Sequence, residues 1–140
     1  MTTLYTIGYG GRHPRDFVTI LTQANIGLVC DVRAEPRHAY RGIYTFNPEK
    51  GSGPLPRLLA QAGIAYEWFP ELGNPERQDP EIRAFQQLMA QEAERRLQRL
   101  QTCVQALCAC LLCAEQDAQR CHRRIITAYL IASGYSVQHL

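Results

Sequence analysis

Five short apolar runs punctuate the chain: LYTIGY (4–9), IGLVCDVR (26–33), IAYEWF (64–69), VQALCACLLC (104–113) and YSVQHL (135–140). Between them the apolar residues recur at helical spacing. In HPRDFVTILTQAN (13–25), Phe17, Ile20, Leu21 and Ala24 share one face, and Pro14 sits where a first helical turn tolerates proline. PLPRLLAQAG (54–63) reads as a short helix closed by Gly63. Asp79 is expected to cap a long helix with Pro80 at its first position. Phe85, Leu88, Met89, Ala93, Leu97 and Leu100 would form its buried stripe, and Glu92 would pair with Arg96. CHRRIITAYLIASG (121–134) reads as the last helix, ending at Gly134. The unbroken apolar run at 26–33 suits a strand covered on both faces. This alternation predicts an α/β fold, a single three-layer domain over residues 1–140. Its sheet is expected to be five-stranded and mainly parallel, with helices on both faces and right-handed crossovers.

A parallel sheet has a functional consequence, because ligands bind in the crevice beyond the carboxyl ends of its strands. The topology places GYGGR (8–12), DVRAEPR (31–37), PELGNP (70–75), CAE (113–115) and His139 at that edge. Of the 15 basic residues only Lys50 is a lysine. The arginines offer planar forks suited to phosphate or carboxylate, although codon bias would give the same preference. Arg12, Arg33, Arg37, Arg41 and Arg123 are expected to approach one crevice, with Tyr9, Tyr40 and Tyr44 available to stack on a base. Gly8, Gly10 and Gly11 would let backbone approach an anion. Pairing of these arginines with Asp31, Glu35 and Glu71 is the structural alternative. Asp31, directly after an apolar run, is the acid expected to be buried and paired, and Glu115 is the candidate base or water-orienting acid.

The segment CAEQDAQRCHR (113–123) carries the other candidate chemistry. Cys113 and Glu115 follow the fourth strand, and Cys121, His122 and Arg123 open the next helix. A helix N-terminus and an adjacent Arg favour a thiolate, with His122 as proton carrier. Alternatively both thiols simply pack the loop, as Cys30, Cys103, Cys108 and Cys110 are expected to pack the core. The segment lacks the glycines of a phosphatase or sulfurtransferase loop. No metal site is expected, because adjacent Cys and His side chains diverge by about 100° once they are helical, and the Cys spacing is not a standard ligand pair.

TIGYGGRHPRDFVTIL, LVCDVRAEP, GIAYEWFPELGNP, LLCAEQDAQRCHR and GYSVQHL together resemble the bacterial and archaeal family termed domain of unknown function 488 (DUF 488). The resemblance runs from Thr6 to His139. It implies a parallel α/β domain with Gly8, Arg12, Asp31, Arg33, Glu71, Gly73, Cys113, Glu115, Cys121, His122 and Arg123 as signature positions, and it supplies no activity. Pro36-Arg37-His38 departs from the Ser-Arg usual in the family, and residues 38–53 depart with it.

Composition adds exclusions. The net charge of +2 does not advertise nucleic acid, and no apolar run reaches the ~20 residues of a membrane span. The N-terminus shows no signal-peptide pattern, so a cytoplasmic address with six reduced cysteines is expected. The expectation is therefore an Arg-lined pocket for an anionic ligand, either a phosphate-containing small molecule such as a nucleotide or a nucleic-acid fragment. The protein would be a hydrolase or transferase that needs no cofactor. Arg12, Arg33 and Arg123 would bind the anion beside Gly8, Tyr9 and Gly10. The alternatives are a thiol-dependent enzyme using Cys113 or Cys121 with His122, and a non-catalytic binding or sensing module. Nothing in the pattern sets an oligomeric state.

Overall fold

A computed structural model describes residues 2–140. The strands are β1 (Thr3–Gly8), β2 (Leu28–Asp31), β3 (Ala65–Trp68), β4 (Ala109–Cys113) and β5 (Ser136–His139). The helices are α1 (Pro14–Gln23), α2 (Pro54–Gln61), α3 (Arg83–Ala106) and α4 (Arg123–Ala132). All five strands lie in one sheet of order β3-β2-β4-β1-β5, and every pairing is parallel. The predicted fold class is the observed one.

Two apolar layers flank the sheet, and the period of two along each strand sorts side chains between them. Ile7, Val29, Cys110 and Leu112 pack with Phe17 and Leu21 of α1 and Leu55 and Leu59 of α2. Leu4, Leu28, Cys30, Ala109 and Leu111 pack with Phe85, Met89, Leu97 and Leu100 of α3 and Ile126 and Leu130 of α4. The chain thus winds β1-β2-β3 under one helical layer and returns through β4 to β5 under the other. Because β4 inserts between β2 and β1, connections leave neighbouring strand ends toward opposite faces. That divergence opens a crevice at the carboxyl end of β4.

Both ends of the long helical segment differ from expectation. The long helix starts at Arg83 rather than Pro80. Asp79 still caps it from a preceding turn, accepting from the Arg83 and Glu81 amides, while Ile82 takes a left-handed φ of 57°. The run 104–113 is also not all strand. Helix continues through Ala106, with Val104 extending the Leu97–Leu100 stripe into the core, and the strand begins at Ala109. A continuous apolar run cannot by itself separate a buried helix end from a strand. The Glu92–Arg96 pair forms, at 2.8 Å, where α3 kinks at Glu92. No described helix is long and apolar enough to cross a membrane.

Candidate functional site

A cleft of about 800 Å³ lies over the carboxyl ends of β1, β2 and β4. Its floor is Tyr9, Arg33, Cys113, Cys121 and His122. Its walls are Ala34, Glu35 and His38, Ala114–Glu115 and the segment 74–82.

The floor is assembled by close backbone approach. The Tyr9 and Gly10 amides donate to the carbonyls of Cys113 and Ala114, at 3.1 and 2.8 Å. A Cβ on Gly8 would run into the Glu115 carbonyl, and one on Gly10 would stand 2.7 Å from the Ala114 carbonyl. These glycines therefore let the turn after β1 lie against the loop after β4. The Tyr9 and Gly10 amides are spent on that contact instead of facing an anion.

Asp31 is wholly buried. Its carboxylate accepts from Arg33 Nε at 2.9 Å, Arg33 Nη2 at 2.6 Å, the Arg33 amide at 3.1 Å and the Tyr66 hydroxyl at 2.5 Å. Arg33 is held further by Trp68 Nε1, which donates to its carbonyl at 2.8 Å, and by the Tyr9 ring, 5.4 Å from the guanidinium carbon. Arg33 Nη1 is buried and has no hydrogen-bond partner among the described residues. Burial pushes the Tyr66 hydroxyl well above its ordinary range, reinforced by the Asp31 charge, so it remains a donor.

Cys113, Cys121 and His122 form the opposite side of the floor, all buried. Cys121 has extended backbone (φ −124°, ψ 152°), and α4 begins only at Arg123. The divergence expected from helical geometry therefore does not operate, and Cys121 and His122 reach one point. His122 Nδ1 lies 3.6 Å from Cys121 Sγ and 4.0 Å from Cys113 Sγ. His122 Nε2 lies 2.8 Å from the Val32 carbonyl, which only accepts, so Nε2 carries the hydrogen. The ring thus turns its Nδ1 toward both sulfurs. Phe85 meets the imidazole edge-on at 5.0 Å and fixes its plane. Hydrogen bonding from the Cys113 thiol holds Cys121 far below an ordinary thiol despite burial, with His122 and Arg123 adding to it; that same contact, with burial, pushes Cys113 up. Glu115, exposed on the wall, brings Oε2 within 3.8 Å of Cys113 Sγ.

Other expected ligand residues are engaged elsewhere. Arg12 Nε donates to the Gly8 carbonyl at 2.8 Å and Nη2 to the Leu140 carbonyl at 3.1 Å, tying β1 to the C-terminus. Arg123, only 1% exposed, donates to the Glu115 carbonyl, to Thr6 Oγ1 and, through Nε at 3.4 Å, to Cys121 Sγ. It fastens the loop instead of facing the cleft. Glu71 lies in a 3-10 turn and is bidentate with Arg99 of α3. Tyr44 is buried, stacked on Tyr9 at 4.6 Å, while Tyr40 stands exposed and Arg37 pairs with Glu49. His139 hydrogen-bonds Thr6 Oγ1 at 2.6 Å, beside β1 rather than in the cleft. The sequence reading placed Asn74 and Pro75 at this edge but missed Tyr66, Trp68 and the cleft-lining residues of 76–82. Their only signal was the strand character of 65–68 and the turn-rich stretch after it.

The family model for the domain of unknown function DUF488 matches residues 13–130. The chain belongs to the DUF488 family. No curated protein and no solved structure matches it. In this DUF488 chain the matched region carries Asp31, Arg33 and the 113–123 segment, whereas Gly8, Tyr9 and Arg12 precede it.

Proposed function

We propose that this protein binds a small molecule bearing one anionic group, with Arg33 as the anchor, and acts on it as a hydrolase or transferase. The observation carrying this reading is the buried Arg33 Nη1, which has no hydrogen-bond partner among the described residues, in a side chain that lines the cleft. An unsatisfied buried donor costs about 1–3 kcal/mol, and an absent partner such as a ligand group is a standard reason for one. Asp31 and Tyr66 fix the guanidinium, so an incoming oxygen meets an ordered donor. Cleft acids Glu35, Glu76, Asp79 and Glu115 accompany Arg33, Arg77 and Arg120. That balance disfavours a polyanion, so a small anion is preferred over a nucleic-acid strand. Glu115 is the water-orienting acid of this reading.

A second reading, thiol chemistry at Cys121, draws on the Arg123 Nε and amide contacts to its Sγ, at 3.4 and 3.5 Å. Cys113 and His122 would then supply and carry its proton.

Calorimetric titration of the full chain with inorganic phosphate, a nucleoside monophosphate and a single-stranded oligonucleotide tests the first reading. Saturable binding of phosphate or monophosphate is expected, weakened about tenfold or more in Arg33→Lys, because a hydrogen bond to a charged group contributes about 1.5–3 kcal/mol. Arg37→Ala, outside the cleft, should bind as the natural protein does. Failure of the folded natural protein to bind any of the small anions, or binding confined to the oligonucleotide, overturns it.

A further inference from the structure

We infer that Cys113, Cys121 and His122 form a binding site for a single borderline-soft divalent cation, with Zn²⁺ the best fit. The inference stands apart from the anion reading, since it uses neither Arg33 nor its unpartnered nitrogen. The three donor atoms lie within 4.8 Å of one another. With metal–sulfur and metal–nitrogen bonds of about 2.3 and 2.0–2.1 Å, a tetrahedral ion separates its S and N ligands by about 3.6 Å. The observed Sγ–Nδ1 distances of 3.6 Å for Cys121 and 4.0 Å for Cys113 need little adjustment to meet that.

The surroundings agree with the distances. A ligating histidine usually donates its second ring N–H to a carboxylate or a backbone carbonyl, which fixes the tautomer. His122 Nε2 lies 2.8 Å from the Val32 carbonyl in that way, which leaves Nδ1, facing both sulfurs, as the ligand atom. Two thiolates and an imidazole select Zn²⁺ over Mg²⁺ or Ca²⁺, which take oxygen ligands. Two thiolates also neutralise a divalent charge, and the Arg123 N–H groups at Cys121 Sγ supply hydrogen bonds to the sulfur.

Three protein ligands leave a fourth position, the pattern of a reactive rather than a purely structural zinc centre. All three residues line the cleft, as does Glu115 on the Cys113 side. The fourth ligand is therefore water, the substrate or the Glu115 carboxylate. Cys121 as a metal ligand is no longer a free nucleophile, so this site and the thiol reading are mutually exclusive.

The test is titration of the reduced full chain with Co²⁺ and Zn²⁺, with circular dichroism to confirm folding. One equivalent of Co²⁺ should give thiolate-to-metal charge transfer and the intense visible bands of a tetrahedral ion, displaced by Zn²⁺. Cys121→Ser and His122→Gln should each weaken Zn²⁺ by about 100-fold or more, at or above the upper end for loss of a mere supporting residue. Cys103→Ser, at a thiol bonded to Glu67 near the C-terminal end of α3, should leave it unchanged. Zn²⁺ should also protect Cys113 and Cys121 from iodoacetamide. The inference is overturned if the folded natural protein shows no such spectrum, or if Cys121 alkylates at neutral pH equally fast with and without Zn²⁺. Phosphate titration of the same samples shows separately whether the anion reading stands.

Discussion

At the scale of single residues, several groups that look like ligand binders from their chemistry are construction elements. Gly8 has no left-handed φ; it is glycine because the Glu115 carbonyl occupies the place of a side chain. Gly11 differs, with φ 71° and nothing within 4 Å of the place a Cβ would take, so only backbone strain opposes substitution there. Gly8→Ala is therefore expected to destabilise by about 1–3 kcal/mol through forced separation of β1 from the 113–116 loop. Gly11→Ala is expected to cost about 1 kcal/mol, the usual scale for one residue in a left-handed conformation. Urea midpoints of the two variants check this, and an equal effect would refute the close-packing account. Arg123 and Asp31 obey the same logic: each is buried, and each spends its polar atoms on named neighbours.

Between elements, the 3-10 turn after β3 is fastened to α3 by Arg99. Its Nε and Nη2 each meet Glu71 at 2.9 Å, Nη2 also donates to the Trp68 carbonyl, and its guanidinium carbon lies 3.9 Å from the Phe69 ring centroid. Burial works against ionised Glu71, but the Arg99 hydrogen bonds outweigh it and hold the carboxyl below its ordinary value of 4.5. A carboxyl depressed in the folded state contributes stability above its unfolded pKa and loses it as pH falls through the folded value. Acid unfolding below about pH 4.5 should therefore carry a Glu71 contribution that Arg99→Ala removes, flattening stability against pH in that window. Chemical unfolding of both proteins at pH 3, 4, 5 and 7 measures it, and parallel pH curves would count against the pair.

The whole molecule divides its cysteines by position in the layers. All six are free thiols. Cys30 and Cys110 lie inside the sheet, and burial pushes both well above the ordinary thiol range. Cys103 and Cys108 are partly exposed at the far end of α3 and before β4. Cys113 and Cys121 face the cleft. Pulsed alkylation with mass-spectrometric mapping should modify Cys30 and Cys110 only on global unfolding, at the rate of the main transition. Cys103 and Cys108 should react from the native state, slowed because burial raises both thiols. Native-state labelling of Cys110 would contradict the three-layer core.

The alternation of 4–9, 26–33, 64–69 and 135–140 with helical stretches was enough to specify a parallel α/β sheet, because period and run length are local properties that burial then exploits. The same reasoning brought Tyr9, Arg33, Cys113, Glu115, Cys121 and His122 to one edge, since parallel strands deliver their carboxyl ends together. Which polar atoms remain free was not legible. Arg12, Arg33 and Arg123 are alike in sequence, yet Arg12 binds carbonyls of β1 and Leu140, Arg123 is sealed under the loop, and Arg33 keeps Nη1 without a partner among the described residues. Likewise, whether Cys121 and His122 diverge or converge depended on whether the helix starts before or after them. Both outcomes are fixed by contacts between segments far apart in the chain, such as Val32 with His122 and Thr6 with Arg123, which only the tertiary structure supplies.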